Sequence, residues 1–449
     1  MDVGYEDLLL FVNAATAATG QREFHSGQAS QTLSLDFLHE YIRGNYPEVY
    51  AAVLALELND HNAARVIRHL LATSGGGELV SQRLARMSPP RVYALFRELR
   101  AAGVNNRRTR AVLRDWLRAR PDLAFDAVKY RAGLKSAVRH AHLKLEGELP
   151  DFLFAPFSRQ RYETPILEAW RRAHFDKEAL YSLPYTVAEG FAARRGIKRE
   201  VFLERIAPKL TRLERLRLLE SAGRAGTDTR ADLAAMPLVR LASYVLSLPV
   251  AERAARRAEL TGALSAAAVR VAGKRAGTWG RVAAVLDDSY SAFGSPVKRN
   301  RPLAVALACD HLLAALAGQY RAHWVSGTVD PLLVRASGPS PLGMRLIDAL
   351  EERPERLVIV SDGWDNAPPG LAAEVLRVWS DRLDRAGEVR LVHVNPVYDA
   401  ERFEVRALSP LVPTVGIRDA EHLPALVELA QFATGRTDVA DLLAYLERR

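Results

Sequence analysis

Residues 286–295 read LDDSYSAFGS and directly follow the apolar run RVAAV. Two carboxylates and two hydroxyls crowded into a turn suit a hard cation or a capped helix start. Two further clusters favour the cation. Ser340 lies in SGPSPLG just ahead of a helical stretch, and Asp362 ends the strand-like run ERLVIVSD. Alternate spacing in a turn lets Asp287, Ser289 and Ser291 point their oxygens to one side. Ser340 and Asp362 then close an oxygen cage from neighbouring loops, with Thr328 as the rival for the later hydroxyl. Hydroxyls coordinate without cancelling charge and two carboxylates balance a divalent ion, so the expected cation is Mg²⁺. Asp288 and Asp365 are extra carboxylates, expected to face solvent or to stand behind the ligands.

The same residues make a poor reaction centre. Ser289 or Ser291 as a nucleophile needs a positioned base, and the nearest histidine in sequence, His311, reads as helix surface or satisfied core. No Gly-rich loop with an adjacent Lys supports nucleotide hydrolysis, and a metal held mostly by hydroxyls lacks an obvious general base. The expectation is a docking site, with no enzyme activity.

A second constellation is basic. In residues 101–147, AAGVNNRRTRAVLRDWLRARPDLAFDAVKYRAGLKSAVRHAHLKLEG, the residues Asn105, Asn106, Arg107, Arg108 and Arg110 crowd a helix start. Free amides and guanidinium groups converging there suit phosphates. Arg114 and Arg118 follow one turn apart. Lys129, Arg131, Lys135, Arg139, His140, His142 and Lys144 continue the charge, and Tyr130 is placed to stack on an unpaired base. A solvated, ion-paired helix face explains the same residues blandly, with Asp115 and Asp122 as neutralising partners. The charge distribution favours the polyanion. Residues before Arg281 carry 43 basic and 30 acidic side chains, and those from Arg281 onward carry 19 and 23. A basic first part beside an acidic second part points to nucleic acid on the first part only.

Helices and strands must position these two clusters. From about residue 30 to 275, segments such as PEVYAAVLALEL, HNAARVIRHLLA and PPRVYALFRELRAAG repeat apolar residues three and four apart and stop at Gly, Asn or Pro. Short helices cannot bury a face alone, so they must stack into a helical-repeat array, curved or closed. Residues 1–30 read as a mobile arm or a loop folded onto that array. After Gly277, the β-rich runs RVAAVLD, YRAHWVSG, ERLVIVSD and EVRLVHVN alternate with helical stretches, which describes an open α/β sheet. TVDPLLVRA is a candidate antiparallel edge strand. Ligands on such sheets gather at the carboxyl ends of the strands. The expected domains are 1–277 and 278–449. The one cysteine, Cys309, excludes an internal disulfide and reads as a buried helical residue. No stretch reaches a membrane-spanning length without charge, and MDVGYEDLLLF lacks the basic start of a secretory signal, so no membrane partner and a cytoplasmic location are expected.

Both constellations carry a family resemblance. Asp287, Ser289 and Ser291 resemble the DxSxS triplet of the metal-ion-dependent adhesion site in von Willebrand factor A domains, which have a Rossmann-like fold. Ser340 falls where that family usually has Thr, and Asp362 matches its later Asp. The resemblance implies that the serines and the later hydroxyl touch the ion, the later Asp often acts through water, and one position stays open for a partner's carboxylate. TRAVLRDWLRARPDLAFDAVKYRAGLKSAVRHAHLK is similar to the Ro (TROVE) module, through Arg114 to Trp116, Ala127 to Tyr130 and Arg139 to His142. AAMPLVRLASYVLSLP resembles a later helix of that family. His142 followed by Leu-Lys departs from the family's His-x-x-Pro. The resemblance implies a ring of HEAT-like helical repeats joined to one C-terminal von Willebrand factor A domain, binding small noncoding RNA and single-stranded ends of defective RNA. The competing expectation is a metal-dependent protein-interaction adaptor without an RNA role.

Overall fold

The structure, a computed structural model, describes residues 3–433 apart from 57, 74, 76, 212–213, 216–217 and 219–232. A large helical region precedes a small parallel sheet, as the change of periodicity at Gly277 predicts. Contacts divide the chain into two units: residues 1–62 with 232–449, and residues 63–231. The expected boundary at residue 277 marks where the strands begin, whereas the contacts place residues 232–277 and the N-terminal 62 residues with the sheet.

In that unit, β1 (Arg281–Leu286), β2 (Gln319–Trp324), β3 (Arg356–Val360), β4 (Arg390–Asn395) and β5 (Thr414–Gly416) form one sheet in the order β2-β1-β3-β4-β5, every pair parallel. Strands covered on both faces read as continuous apolar runs, and RVAAVL and RLVIV do so. The helix Arg301–Leu316 is apolar on every side because the sheet lies under it and the helices Leu238–Ser247 and Arg257–Ala272 pack over it. Cys309 is buried in it. Leu342, Leu346 and Leu350 of the helix Leu342–Glu351 share the core of the other face with Val285, Leu357 and Ile359.

Two expectations for this unit differ from the structure, and one strand was not foreseen. Residues 3–17 form a helix, and the N-terminal segment lies on the sheet unit. TVDPLLVRA adds no strand. Pro331–Leu333 is a 3-10 turn, capped by Asp330 and held by buried Arg253, which donates to the carbonyls of Leu332 (2.7 Å) and Val334 (3.0 Å). Those carbonyls are thereby taken from any strand ladder. The three-residue β5 is too short to have shown a period.

Residues 63–231 are built from short stacked helices. Asn106 caps Arg107–Arg118 by accepting from the Thr109 amide at 2.8 Å, and Asp122 caps Leu123–Lys129 by accepting from the Phe125 amide at 2.8 Å. Where Pro89–Ala101 meets Arg131–Ala141, Gly133 allows a close approach: a Cβ there would lie 2.8 Å from Tyr93 Cβ. The Tyr93 hydroxyl donates to buried Asp126 at 2.9 Å, and Arg120 donates to the same carboxylate at 2.6 Å.

Candidate functional site

The strand order reverses between β1 and β3, and Asp287 and Asp362 stand just beyond the carboxyl ends of those two strands. This switch point is where ligands settle on open parallel sheets. Asp287 begins the turn, its amide still donating to Val360 of β3 (3.0 Å) and its carboxylate accepting from the Ser289 amide (2.8 Å). The Ser289 hydroxyl bears on Asp287 and lies 3.2 Å from that of Ser291, which bears on Asp362. Asp362 is fixed by accepting from the Trp364 amide at 3.0 Å. Gly363 turns the chain with φ 80°, and a Cβ there would lie 2.6 Å from the Arg406 carbonyl. Ser340 joins from a third loop: its amide donates to Asn366 Oδ1 (2.8 Å), and the Asn366 amide donates to the Ser340 carbonyl (3.3 Å).

Both carboxylates are buried. Burial, then the neighbouring Asp362, pushes Asp287 up to about 7, and burial raises Asp362 against the pull of Ser291, the Trp364 amide, His25 and Arg406. Ser340 Oγ and Asp362 Oδ2 are buried with no hydrogen-bond partner among the described residues. An unpartnered hydroxyl on a neighbouring loop, an unpartnered carboxylate oxygen and the cost of two buried carboxylates fit a divalent cation, which would satisfy the oxygens and balance the charge. Among the described residues no three His, Cys, Asp or Glu side chains gather as a metal group, so a cation here depends on two carboxylates and serine hydroxyls.

The other candidate oxygens lie elsewhere. Thr328 hydrogen-bonds Ser326 (2.7 Å), and Ser326 donates to Asp288 at 2.6 Å, a separate network beyond β2. Asp288, expected at the surface or behind the ligands, is buried in that network, and Asp365 accepts from the Ala372 amide at 2.7 Å at a helix start. His311 is buried within its helix, and burial lowers it to about 4.

One neighbour escaped the sequence reading. His25 lies against Trp364 (centroids 4.8 Å apart) with Nε2 4.0 Å from Asp362 Oδ2, and Phe24 meets Tyr290 edge-on at 5.9 Å. Nothing in TGQREFHSGQAS signals contact with residues so far along the chain.

The basic candidates of residues 63–231 sort by what they touch. Asn106 is committed to its helix, capping it and donating to the Leu71 carbonyl at 2.6 Å. His140 is buried, its Nε2 2.9 Å from the Val104 carbonyl, which ties the end of one helix to the turn before Arg107. Lys129 pairs with Glu214 at 3.3 Å, and Tyr130 packs on Tyr93. Arg107, Arg139 and His142 are exposed, and Arg108, Arg110, Arg114 and Lys135 are half-exposed. Lys135 and Arg139 both lie over the Phe154 ring, at 5.3 and 5.0 Å from its centroid, and Phe154 is 40% exposed. Sequence alone gave no hint of that cation-flanked aromatic.

No family model matches the chain, and no curated protein matches it by sequence. Among solved structures, the crystal structure of the Deinococcus radiodurans Ro (RSR) protein matches 95% of this chain and 99% of its own, with a TM-score of 0.54 and 15% sequence identity. In its fold, a helical array joined to a parallel sheet, this chain is therefore similar to that bacterial Ro protein.

Proposed function

We propose that the chain is a Ro-like RNA-binding protein, in which residues 63–231 engage small structured or single-stranded RNA and the switch-point oxygens hold a divalent cation for architecture or partner docking. The observation that carries this reading is the pairing of the Ro-like fold with a basic excess whose Arg107, Arg139 and His142 are exposed. Arg107, Arg108 and Arg110 stand at a helix start, and the His140 contact brings Arg139 and His142 toward the same end. Guanidinium groups at a helix start supply bidentate donors for phosphates, and backbone contacts of this kind tolerate sequence change. Asp287, Ser289, Ser291, Ser340 and Asp362 would hold the cation, Mg²⁺ being the expected ion, with one position left for water or a partner's carboxylate.

Crosslinking of the tagged protein in its native cells, followed by sequencing of the bound RNA, tests the RNA role. Small structured RNAs or ragged 3′ ends, lost on substituting Arg107, Arg108 and Arg139, are the expected result. A profile matching an untagged control removes the RNA reading. The orphaned oxygens then favour the adaptor reading, checked by Mg²⁺-dependent capture of a protein from nuclease-treated lysate that Asp287→Ala abolishes.

A further inference from the structure

The chain's own N-terminal arm lies against the loops that carry Ser289, Ser291 and Asp362. The arm is anchored on both sides. Before it, Asn13 of the helix Val3–Ala17 grips β5, donating to the Thr414 carbonyl and accepting from the Gly416 amide, each at 3.0 Å. After it, Gln31 of the helix Gln28–Asn45 donates to the Tyr398 carbonyl at 2.8 Å, and Ser34 meets the Tyr398 hydroxyl. Between these anchors the Arg22 carbonyl accepts from Ser295 Oγ (2.8 Å), and buried Glu23 pairs with Lys298. Phe24 then packs on Tyr290, and His25 on Trp364 and toward Asp362. Tyr290 belongs to the loop of Ser289 and Ser291, and Trp364 to the loop of Asp362. Each arm ring therefore packs on one of the two loops that carry the site's oxygens. Asp362 is 2% exposed beneath an imidazole that is 35% exposed, so the arm forms the outer layer.

We propose that residues 18–27 are an intramolecular gate: with the arm down, Phe24 and His25 fill the approach by which a hydrated cation and a partner's carboxylate reach the five oxygens, and lifting the arm opens it. This rests on reading those oxygens as a divalent-cation site. The arm can lift without unfolding its flanks. On the loops of the sheet it is held by one ion pair, one hydrogen bond, a long imidazole–carboxylate approach and ring packing. Its ends are tied to their own flanks by Asn59 and Asn62 on the Ala18 carbonyl (2.7 and 2.8 Å), Thr32 on the Gly20 carbonyl (3.4 Å) and Gln31 on Ser26 Oγ (2.6 Å). Gly20, at φ 68°, and Gly27, whose Cβ position meets nothing within 4 Å, border it and give the backbone freedom to swing. A ligand that needs the open state must shift the arm, and weakening the arm must tighten that ligand by the same coupling.

Mn²⁺, followed by electron paramagnetic resonance on the full-length chain, is the probe, with trypsin cleavage after Arg22 as the reporter of the arm. The gate predicts that saturating Mn²⁺ speeds this cleavage roughly threefold or more in the wild type, since cleavage needs the arm released. The Phe24→Ala/His25→Ala double variant, altering a half-buried and an exposed ring, binds Mn²⁺ about 3- to 10-fold tighter. Asp287→Ala removes the Mn²⁺ effect on cleavage. Mn²⁺ binding that leaves cleavage unchanged or slows it, or a double variant with wild-type affinity, overturns the gate while leaving the cation site standing. Failure of both wild type and double variant to bind Mn²⁺ overturns the cation reading and the gate together.

Discussion

Two carboxylates buried side by side are costly, and at Asp287 the cost falls in a defined pH range. Because the folded state raises Asp287 to about 7, it binds more protons than the unfolded chain between the ordinary carboxylate range and about 7. Its contribution to stability therefore falls as pH rises through that window and levels off above it. Asp287→Asn, which lacks the charge, is expected to be more stable than the metal-free wild type at pH 8 by about 2 to 4 kcal/mol, with the gain vanishing near pH 4. Denaturant melts at both pH values check this, and equal stability at pH 8 contradicts it. Ser340→Ala removes a hydroxyl that has no partner, so stability is expected to change by less than about 1 kcal/mol while Mn²⁺ affinity drops about tenfold. At this scale the position of Asp287 and Asp362 just past strand ends was legible, because the apolar runs before them mark the strands. The sequence was misleading at Asn106 and His140, whose polar types suited RNA although one caps a helix and the other is buried on a carbonyl. Residue type does not carry burial. The contact of His25 with Asp362 joins distant parts of the chain and left no local trace.

At the scale of elements, close approach sets the limits. Gly133 lets two helices of residues 63–231 meet, and the atom in the way of a Cβ is the Cβ of Tyr93, which has no freedom to turn aside. Gly133→Ala is expected to destabilise that unit by about 1 to 3 kcal/mol despite alanine's better helix propensity. A melting temperature at or above the wild type's would show that the helices can separate freely. The helices beyond residue 30 and the first four strands were legible because their apolar periods are long enough to count, whereas the helix Val3–Ala17 was not. TVDPLLVRA was not, because Arg253, distant in sequence, takes its carbonyls and Pro331 favours a turn. The helix Arg301–Leu316 was legible as a helix, but its all-round burial depends on helices that precede the strands.

At the scale of the molecule, the chain divides its charge, with a basic excess before Arg281 and an acidic excess after it. The break in periodicity at Gly277 located the first strand, yet compact units follow contacts, and the N-terminal 62 residues return to the sheet. Among the described residues no helix is long and apolar enough to cross a membrane. The central claim is that residues 63–231 hold RNA by its phosphates. Its most direct test is a filter-binding titration of a single-stranded oligoribonucleotide over a salt series, with wild type and the Arg107/Arg108/Arg139→Ala variant. Each lost phosphate contact on a single strand lowers the slope of log affinity against log salt by about 0.7, so the variant is expected to bind more weakly with a slope shallower by about 2. Weak wild-type affinity that does not change with salt, or a variant with the wild-type slope, contradicts the claim.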